Sequence, residues 1–318
     1  MKAAFIRQTG PPENLTYGDL PTPEPAAGQV LVRVGAVAVN PIDTYIRSGA
    51  IAMPLGFPFV VGCDLAGKVE KVGSEVKRFK PGDRVWGSNQ GMFSRQGTFA
   101  EYAAVDEAWL YPLPSGVSEE AAAAVALVAI TAHLGLSRAQ LLSGETLFIN
   151  GGSGGVGSMV VQMAKALGAR VVTTAGSEEG LAQCRGMGAD LAIDYKREDV
   201  AKRVSEFAPK GVNVWWETVR EPNFELAVSQ LAPRGRMVLM AGRDARPQFP
   251  VGPFYVKDCS LYGFAMFNSR ADEQRVVADD INRWLASGHL KPQIGARMKL
   301  AEAAAAHRLQ ESSTIGKA

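Results

Sequence analysis

The apolar residues in the first third of the chain fall in short, β-branched runs that glycine and proline interrupt. This pattern predicts strands at 29–40, 66–73, 81–87 and 98–105. Few helical periods lie between them. The segment therefore predicts a compact β-rich domain, and a partly open barrel is one form that such a domain takes.

The pattern changes near Ser118, where a long and mostly apolar helix is expected to begin with an N-cap serine and two acids in its first turn. After it, strands and helices alternate. Strands are predicted at 146–150, 170–175, 191–195, 212–218 and 236–242, and helices at 155–168, 177–188, 198–208 and 224–232. This alternation predicts a parallel sheet with helices on both faces, to which 260–267 adds an edge strand. Helices at 272–288 and 301–312 follow.

Composition narrows the class of protein. The chain has 318 residues, which suits two domains, and 47% of them are apolar and 21% charged, as in a globular protein with a full core. The formal net charge is only +2, so no strong field attracts nucleic acid or an anionic membrane. We therefore expect neither as a partner.

Cysteine usage and the apolar runs bear on the compartment. Cys63, Cys184 and Cys259 are well separated and form no CxxC pair, so we expect free thiols in a reducing environment. The N-terminus lacks the apolar core of a signal peptide, and the most apolar run, which starts at Ala121, is too short to span a bilayer. A cytoplasmic protein is the expectation.

A glycine-rich loop follows the strand predicted at 146–150. Gly152, Gly154 and Gly157 fit the GxGxxG spacing, and Gly151 and Gly155 add to it. A strand precedes the loop, a helix begins within it, and a second strand follows, which is the context of a dinucleotide site. Bare glycines let the backbone approach a pyrophosphate, and the helix N-terminus offers N–H groups to it. The alternative is a flexible turn without a ligand.

The end of the second strand bears on the choice of dinucleotide. NAD sites usually carry an acid there, whereas this chain has Gly176 and Ser177, which leave room for a 2′-phosphate. The pattern favours NADPH over NADH. Glu178 weakens this argument, although an acid in a first helical turn is also a simple dipole partner. Tyr195 and Lys196, after the next strand, can supply stacking and charge or can be an ordinary surface pair.

Several segments together resemble the zinc-independent, ζ-crystallin-like quinone oxidoreductases of the medium-chain dehydrogenase/reductase superfamily. The most specific is VNPIDTYIRSG (39–49); the others, in the same order as in that group, are KPGDRVWG (80–87), GTFAEYAAV (97–105), GGSGGVGSMVVQMAKALGA (151–169), TAGSEE (174–179) and HLKPQIG (289–295). The resemblance implies an α/β architecture with a GroES-like catalytic domain at 1–118 and 268–318 and an inserted Rossmann domain at 119–267. It also implies a homodimer formed through the edge strand near 261–267.

The resemblance extends to relatives that bind zinc, and here the chain departs from them. They place a cysteine at the position of Asn40, a His–Glu pair at Cys63 and Asp64, and a third ligand near Leu127. A catalytic zinc needs three nitrogen or sulfur ligands, which Cys63 alone cannot supply. We therefore expect no metal, and expect Cys63 to be a small buried side chain.

The absence of these ligands narrows the reaction. Without a Lewis acid to polarise a carbonyl, alcohol dehydrogenation is disfavoured. A quinone or a similarly activated enone spreads the incoming charge through its own conjugation, so the protein needs mainly to stack the acceptor on the nicotinamide and exclude water. Hydride transfer from NADPH to such a small molecule is the expected activity.

The same resemblance assigns Asn40 and Tyr45 to the nicotinamide cleft as catalytic residues. The Asn40 amide offers hydrogen bonds and the Tyr45 phenol can donate to a developing oxyanion. Asn40 before a proline can instead start a turn, and Tyr45 can be a core ring. Asp43 is expected to be structural, either pairing with Arg47 or capping a helix.

The remaining assignments concern the cofactor. Thr131 can face the cofactor or bond its own helix backbone, and Arg243 can meet a phosphate or lie in solvent. Phe264 and Phe267 belong to a segment that, by resemblance, runs beside the nicotinamide. The full predicted cofactor set is Asn40, Thr131, Gly152, Gly154, Gly155, Val156, Gly157, Gly176, Ser177, Tyr195, Gly242, Arg243, Phe264 and Phe267.

Two alternatives stay open. Many relatives, enoyl-thioester reductases among them, carry a tyrosine at the position of Ile51, so this departure disfavours enoyl-thioester reduction without removing it. The chain also lacks a strong acid–base constellation, which leaves room for a non-catalytic, crystallin-like NADPH-binding protein. At the other end, relatives continue with an apolar strand beyond the segment IGKA (315–318), where this sequence stops.

Overall fold

A computed structural model describes residues 1–312. The chain divides into two compact units, residues 1–127 with 270–318 and residues 128–269. We refer to them as the first and second units. The domain limits inferred above, at 118/119 and 267/268, concern folding domains and stay a prediction.

The first unit is rich in antiparallel strands. Its elements up to residue 112 are β1 (Lys2–Ile6), β2 (Thr16–Asp19), β3 (Gln29–Ala36), α1 (Pro41–Ser48), β4 (Phe59–Val60), β5 (Leu65–Val72), β6 (Arg84–Gly87), β7 (Tyr102–Asp106) and β8 (Leu110–Pro112). They form a three-stranded sheet, β2-β1-β4, and a five-stranded sheet, β7-β3-β5-β6-β8. The β-rich prediction is confirmed. The prediction missed the strands β1, β2 and β4, which are short, and the eight-residue helix α1.

The long helix α2 (Glu119–Arg138) starts as predicted. The Ser118 hydroxyl accepts a 3.1 Å hydrogen bond from Ala121 N–H and so caps the helix. The helix is long and apolar enough to cross a membrane, but 67% of its most apolar window is buried within the protein. A helix of this kind whose apolar window is mostly buried is typical of a core helix.

The second unit is a parallel sheet with helical connections. Its elements are β9 (Thr146–Ile149), α3 (Gly155–Ala166), β10 (Arg170–Ala175), α4 (Glu178–Gly186), β11 (Leu191–Asp194), α5 (Val200–Phe207), β12 (Val212–Glu217), α6 (Phe224–Gln230), β13 (Leu231–Leu239), α7 (Val251–Val256) and β14 (Ser260–Gly263). The strand order is β11-β10-β9-β12-β13-β14. All five pairings are parallel, as predicted. The order reverses between β9 and β12, which places the ligand crevice of such a sheet there.

Two boundaries in the second unit differ from the prediction. The sixth helix ends at Gln230, and β13 begins at Leu231 rather than at 236. Pro233 cannot donate a helical hydrogen bond and Arg234 has a positive φ of 61°, so the chain leaves the helix early. The edge strand β14 stops at Gly263, and residues 266–268 form a 3₁₀ turn instead.

The chain returns to the first unit with α8 (Ala271–Ala286) and α9 (Ala303–Glu311), which confirms both predicted helices. The segment at 315–318 lies outside the described residues.

In the second unit, Trp215 stacks on Phe148 of the neighbouring strand with ring centroids 3.9 Å apart, and both rings are buried. Trp215 and Trp216 are therefore core residues.

Candidate active site

The glycine loop links β9 to α3, as the spacing predicts. Gly151 has a φ of 71°, which a residue with a side chain rarely adopts. A Cβ atom on Gly157 would collide with the carbonyl oxygen of Gly151, so the turn closes only around glycine. Gly154 is the N-cap of α3 and supplies no side chain to cap it. The first N–H groups of the helix, from Gly155 onward, are therefore not capped by the side chain of the N-cap residue, which is the arrangement in which a helix N-terminus can bind a phosphate.

The other predicted residues of the second unit largely share one edge of the sheet. Gly176 and Ser177 follow β10, Tyr195 follows β11, and Gly242 and Phe264 come after the last two strands. Because all these strands are parallel, their carboxyl ends lie at the same edge as the glycine loop. The structure thus brings together residues that the sequence scatters.

Polar groups at the ends of β10 and β11 surround the small residues. A Cβ atom on Gly176 would collide with the Tyr195 hydroxyl, which places that hydroxyl directly beside the strand end. The Ser177 hydroxyl accepts a 3.1 Å hydrogen bond from Gly180 N–H and caps α4. Arg197 lies 3.7 Å from Glu178, so a guanidinium partly neutralises the nearest acid. A small residue, two hydroxyls and a guanidinium therefore lie near the end of β10, where NAD sites usually carry an acid.

Four predicted residues lie elsewhere in the second unit, outside the glycine loop. Thr131 is buried on α2, and Phe267 lies in the short 3₁₀ turn. The Arg243 guanidinium lies 3.4 Å from the Asp244 carboxylate, and the side chain is more than half exposed. Phe264 lies 4.8 Å from the Arg138 guanidinium, in cation–π geometry.

In the first unit, Asn40 belongs to a buried polar cluster with Asp43, Cys63 and Asp64. Asn40 is the N-cap of α1, and its backbone N–H donates a 2.7 Å hydrogen bond to the Asp43 carboxylate. Its side-chain Nδ2 donates a 2.8 Å hydrogen bond to Asp64 Oδ2. The same Asp64 oxygen accepts a 3.2 Å hydrogen bond from Leu127 N–H. The positions that carry zinc ligands in relatives therefore meet here as a hydrogen-bonded cluster.

The cluster has unusual electrostatics because its acids are buried. Burial raises the pKa of the Asp64 carboxyl to about 7 and the pKa of the Asp43 carboxyl to about 6. Burial, with the two neighbouring carboxylates, raises the pKa of the Cys63 thiol well above its usual value. Cys63 is a small buried side chain, as expected.

Tyr45 is half-buried on α1, close in sequence to Asn40. Of the two roles considered for Asp43, the helix cap is right and the ion pair with Arg47 is wrong. Arg47 is buried, and its guanidinium instead pairs with Glu311 and donates to Gly10 O at 2.8 Å. Helix α9 supplies this partner from the other end of the chain.

Two acids at these sites were not predicted as functional residues. Asp64 was considered only as a missing zinc ligand, and its contact with Asn40 spans 24 positions. Glu217 ends the buried strand β12 and is itself buried. An acid that closes an otherwise apolar strand, at the edge where ligands bind, is the signal that identifies it.

Comparison with known proteins agrees with this geometry. Residues 26–115 match the alcohol dehydrogenase GroES-like domain and residues 155–282 match the zinc-binding dehydrogenase family. A quinone oxidoreductase of Pseudomonas aeruginosa is 37% identical over 94% of this chain and 92% of its own length. A 2-methylene-furan-3-one reductase of Solanum lycopersicum is 37% identical over 71% of this chain and 58% of its own. An Escherichia coli quinone oxidoreductase, solved in complex with NADPH, superposes with a TM-score of 0.87 at 28% identity, covering 99% of this chain and 98% of that one.

The chain belongs to the quinone oxidoreductase family of the medium-chain dehydrogenase/reductase superfamily. The GroES-like and Rossmann-type architecture implied by the signature segments is thereby confirmed.

The name of one matching family invites a test for zinc. Among residues 1–312, no three His, Cys, Asp or Glu side chains form a group that could hold a metal ion. Asn40 offers an amide already bonded to Asp64, and Cys63 is a thiol whose pKa burial keeps high. A zinc site needs deprotonated sulfur or imidazole donors, so these residues do not fit one.

Proposed function

We propose that this protein transfers hydride from NADPH to a quinone or a similarly activated enone without a metal ion. The observation that carries the proposal is the glycine loop, which opens a helix at the switch point of a parallel sheet, in a chain of the quinone oxidoreductase family. NADPH supplies the hydride when bound. The chain's own residues bind it, orient the acceptor and exclude water.

The second unit carries the cofactor-binding residues. Gly152, Gly154, Gly155, Val156 and Gly157 offer backbone N–H groups to the pyrophosphate, since a helix N-terminus attracts anions.

Gly176, Ser177 and Tyr195 bind the 2′-phosphate. No acid ends β10 at this point, and the Tyr195 hydroxyl lies beside Gly176. The residues that contact the nicotinamide half of the cofactor are Thr131, Gly242, Arg243, Phe264 and Phe267.

In the first unit, Asn40 and Tyr45 act on the reacting end. Asp64 accepts one hydrogen bond from Asn40 Nδ2 and so fixes the orientation of the amide, which keeps a second N–H donor. The Tyr45 phenol donates to the oxygen on which charge develops as hydride arrives. These roles of Asn40 and Tyr45 suit a conjugated acceptor, which must be oriented against the nicotinamide but needs no Lewis acid to polarise its carbonyl.

The acceptor class follows from the donor set and from the relatives. The cluster around Asn40 does not fit zinc, so a conjugated acceptor suits it better than a simple carbonyl. Quinones come first, because the relatives that match over nearly the whole chain are quinone oxidoreductases. The Solanum lycopersicum relative is named as a reductase of an enone and supports enones as the second class.

We also propose that the protein is a cytoplasmic homodimer. Strand β14 forms the edge of the six-stranded sheet, and Leu261 on it is 40% exposed. On α7, which precedes that strand, Tyr255 and Val256 are also exposed. An unpaired edge beside exposed apolar side chains favours pairing with a second copy.

The experiment is steady-state oxidation of NADPH by the purified protein with a panel of quinones, enones and crotonyl thioester. The proposal expects turnover with quinones first and with enones second. Faster turnover of the thioester would point to an enoyl-thioester reductase. Tight NADPH binding without turnover of any acceptor would point to a non-catalytic protein.

A further inference from the structure

Glu217, at the carboxyl end of β12, is a buried acid surrounded by neutral donors. Its side chain is 1% exposed. Asn150 Nδ2 donates to both of its oxygens, at 2.9 and 3.2 Å. Val219 N–H donates at 2.9 Å and Trp215 Nε1–H at 3.3 Å. Burial raises the pKa of this carboxyl.

The position of Glu217 in the sheet is specific. Asn150 immediately follows β9, and Glu217 is the last residue of β12, the neighbouring strand. The hydrogen bonds between them therefore join the ends of the two strands at which the strand order reverses. In open parallel sheets this is the point at which ligands bind.

A directed chain of hydrogen bonds leads from Glu217 to the glycine loop. Because the carboxylate takes the NH₂ end of Asn150, the carbonyl end must accept, and the Thr174 hydroxyl donates to it at 3.3 Å. The same hydroxyl accepts from Gly151 N–H at 3.0 Å. Beside this chain, the Thr218 hydroxyl donates to the backbone carbonyl oxygen of Asn150 at 2.7 Å. Every donor and acceptor in this chain is fixed by the carboxylate at its start.

A contribution to the stability of the fold does not explain an acid at position 217. A buried carboxylate without a cation costs free energy even when hydrogen bonds satisfy it. Among residues 1–312, no lysine or arginine side chain hydrogen-bonds to Glu217 in the structure. Gly151 is the first residue of the loop that opens α3, so a shift of Asn150 moves the backbone that would cradle the phosphates.

We propose that Glu217 is a positioning residue for dinucleotide binding, which acts through Asn150 and Thr174 to hold the glycine loop in its phosphate-binding shape. This inference rests on the proposed function. In this role Glu217 acts only through Asn150 and Thr174, so its loss weakens cofactor binding and leaves the chemical step largely intact at saturating cofactor.

The test compares Glu217→Gln with a matched control, Glu145→Gln. Glu145 lies directly before β9, at the opposite end of the same sheet, where its carboxylate accepts a 2.5 Å hydrogen bond from Arg236. Both changes replace a largely buried carboxylate by its amide. We expect Glu217→Gln to raise the Kd of NADPH about 10-fold, equivalent to the loss of about one charged hydrogen bond. We expect kcat at saturating NADPH to stay within about 2-fold, and Glu145→Gln to lower the Tm without changing the Kd.

A second variant guards against misfolding. Thr174→Val keeps the shape of the side chain and the Glu217–Asn150 contact but cuts the link to Gly151. It is expected to raise the Kd of NADPH similarly, and the double variant to be no weaker than either alone. If wild-type protein binds no NADPH, the proposed function is wrong and the inference falls with it. If the wild-type protein binds NADPH and both Glu217→Gln and Thr174→Val bind it with the wild-type Kd, the proposed function stands and only the positioning role of Glu217 is wrong.

Discussion

The Asn40 side-chain amide donates a 2.8 Å hydrogen bond to the Asp64 carboxylate, and both side chains are buried. The resemblance drawn from the sequence implies that zinc-binding relatives carry a cysteine at the position of Asn40 and a glutamate at that of Asp64. Here the amide donates to one oxygen of the acid, Oδ2, and the same oxygen accepts from Leu127 N–H. These hydrogen bonds orient the Asn40 side chain.

The first prediction concerns the charge of Asp64. The pKa of this carboxyl is about 7 in the folded protein, whereas its ordinary value is 3.8. Between these two pH values the folded state therefore keeps a proton that the unfolded chain releases. Its contribution to the free energy of unfolding is therefore present at low pH and lost as pH rises towards 7. Asp64→Asn should be more stable than wild type by about 2 to 4 kcal/mol at about pH 8, and by much less at about pH 4.

Urea unfolding of both proteins across this pH range measures the difference. The same variant should lose activity, because an amide holds Asn40 less firmly than a carboxylate does. A stability difference that does not change with pH would show that Asp64 is ionised in the fold without penalty.

The second prediction concerns the cofactor. Ser177 caps α4 at the end of β10, where NAD sites carry an acid. Aspartate is as good an N-cap as serine, so Ser177→Asp should fold normally. Its carboxylate should repel the 2′-phosphate and shift the kcat/KM ratio of NADPH to NADH by about 10-fold or more towards NADH. Ser177→Thr is the neutral control, and an unchanged ratio in Ser177→Asp would place the 2′-phosphate elsewhere.

The third prediction concerns His307 on α9. Among residues 1–312, neither ring nitrogen has a hydrogen-bond partner, and burial, together with the charge of Arg47, lowers the pKa of this imidazole to about 3. Because the unfolded chain binds a proton more readily, the contribution of His307 to stability is present above about pH 6.5 and is lost as pH falls towards 3. His307→Leu should remove this loss and be more stable than wild type by about 2 kcal/mol at about pH 4.5. Chemical denaturation at this pH and at neutrality checks it, and equal pH dependence of the two proteins would contradict it.

The fourth prediction concerns the sheet edge at β14. Leu261→Lys places a charge on this exposed edge and should shift the protein from dimer to monomer in sedimentation velocity. Leu142→Lys alters a residue that is 61% exposed outside the edge strand, and should leave the dimer intact. A wild-type monomer, or a Leu261→Lys dimer, would exclude this edge as the interface.

Local patterns predicted much of the fold and one half of the candidate site. Gly152 and its neighbours were found because spacing, strand and helix lie within about twenty residues of each other. Asp64 was missed as a partner of Asn40, and Glu217 lies 67 positions from Asn150, so no local period reveals either contact. Helix α1 was missed because its eight residues carry too few apolar positions for a helical period. Contacts between distant segments depend on the folded topology, which the periodicity of single elements does not contain.

The most direct measurement is a single turnover of chelator-treated protein with a quinone and NADPH carrying deuterium at the transferred position. The account predicts that the quinone oxidises bound NADPH, that deuterium slows this step, and that added zinc changes nothing. Two results would contradict metal-independent hydride transfer. One is a reaction that is lost after chelation and recovers when zinc is added, and the other is oxidation of NADPH that shows no isotope effect with deuterium on either face of the nicotinamide.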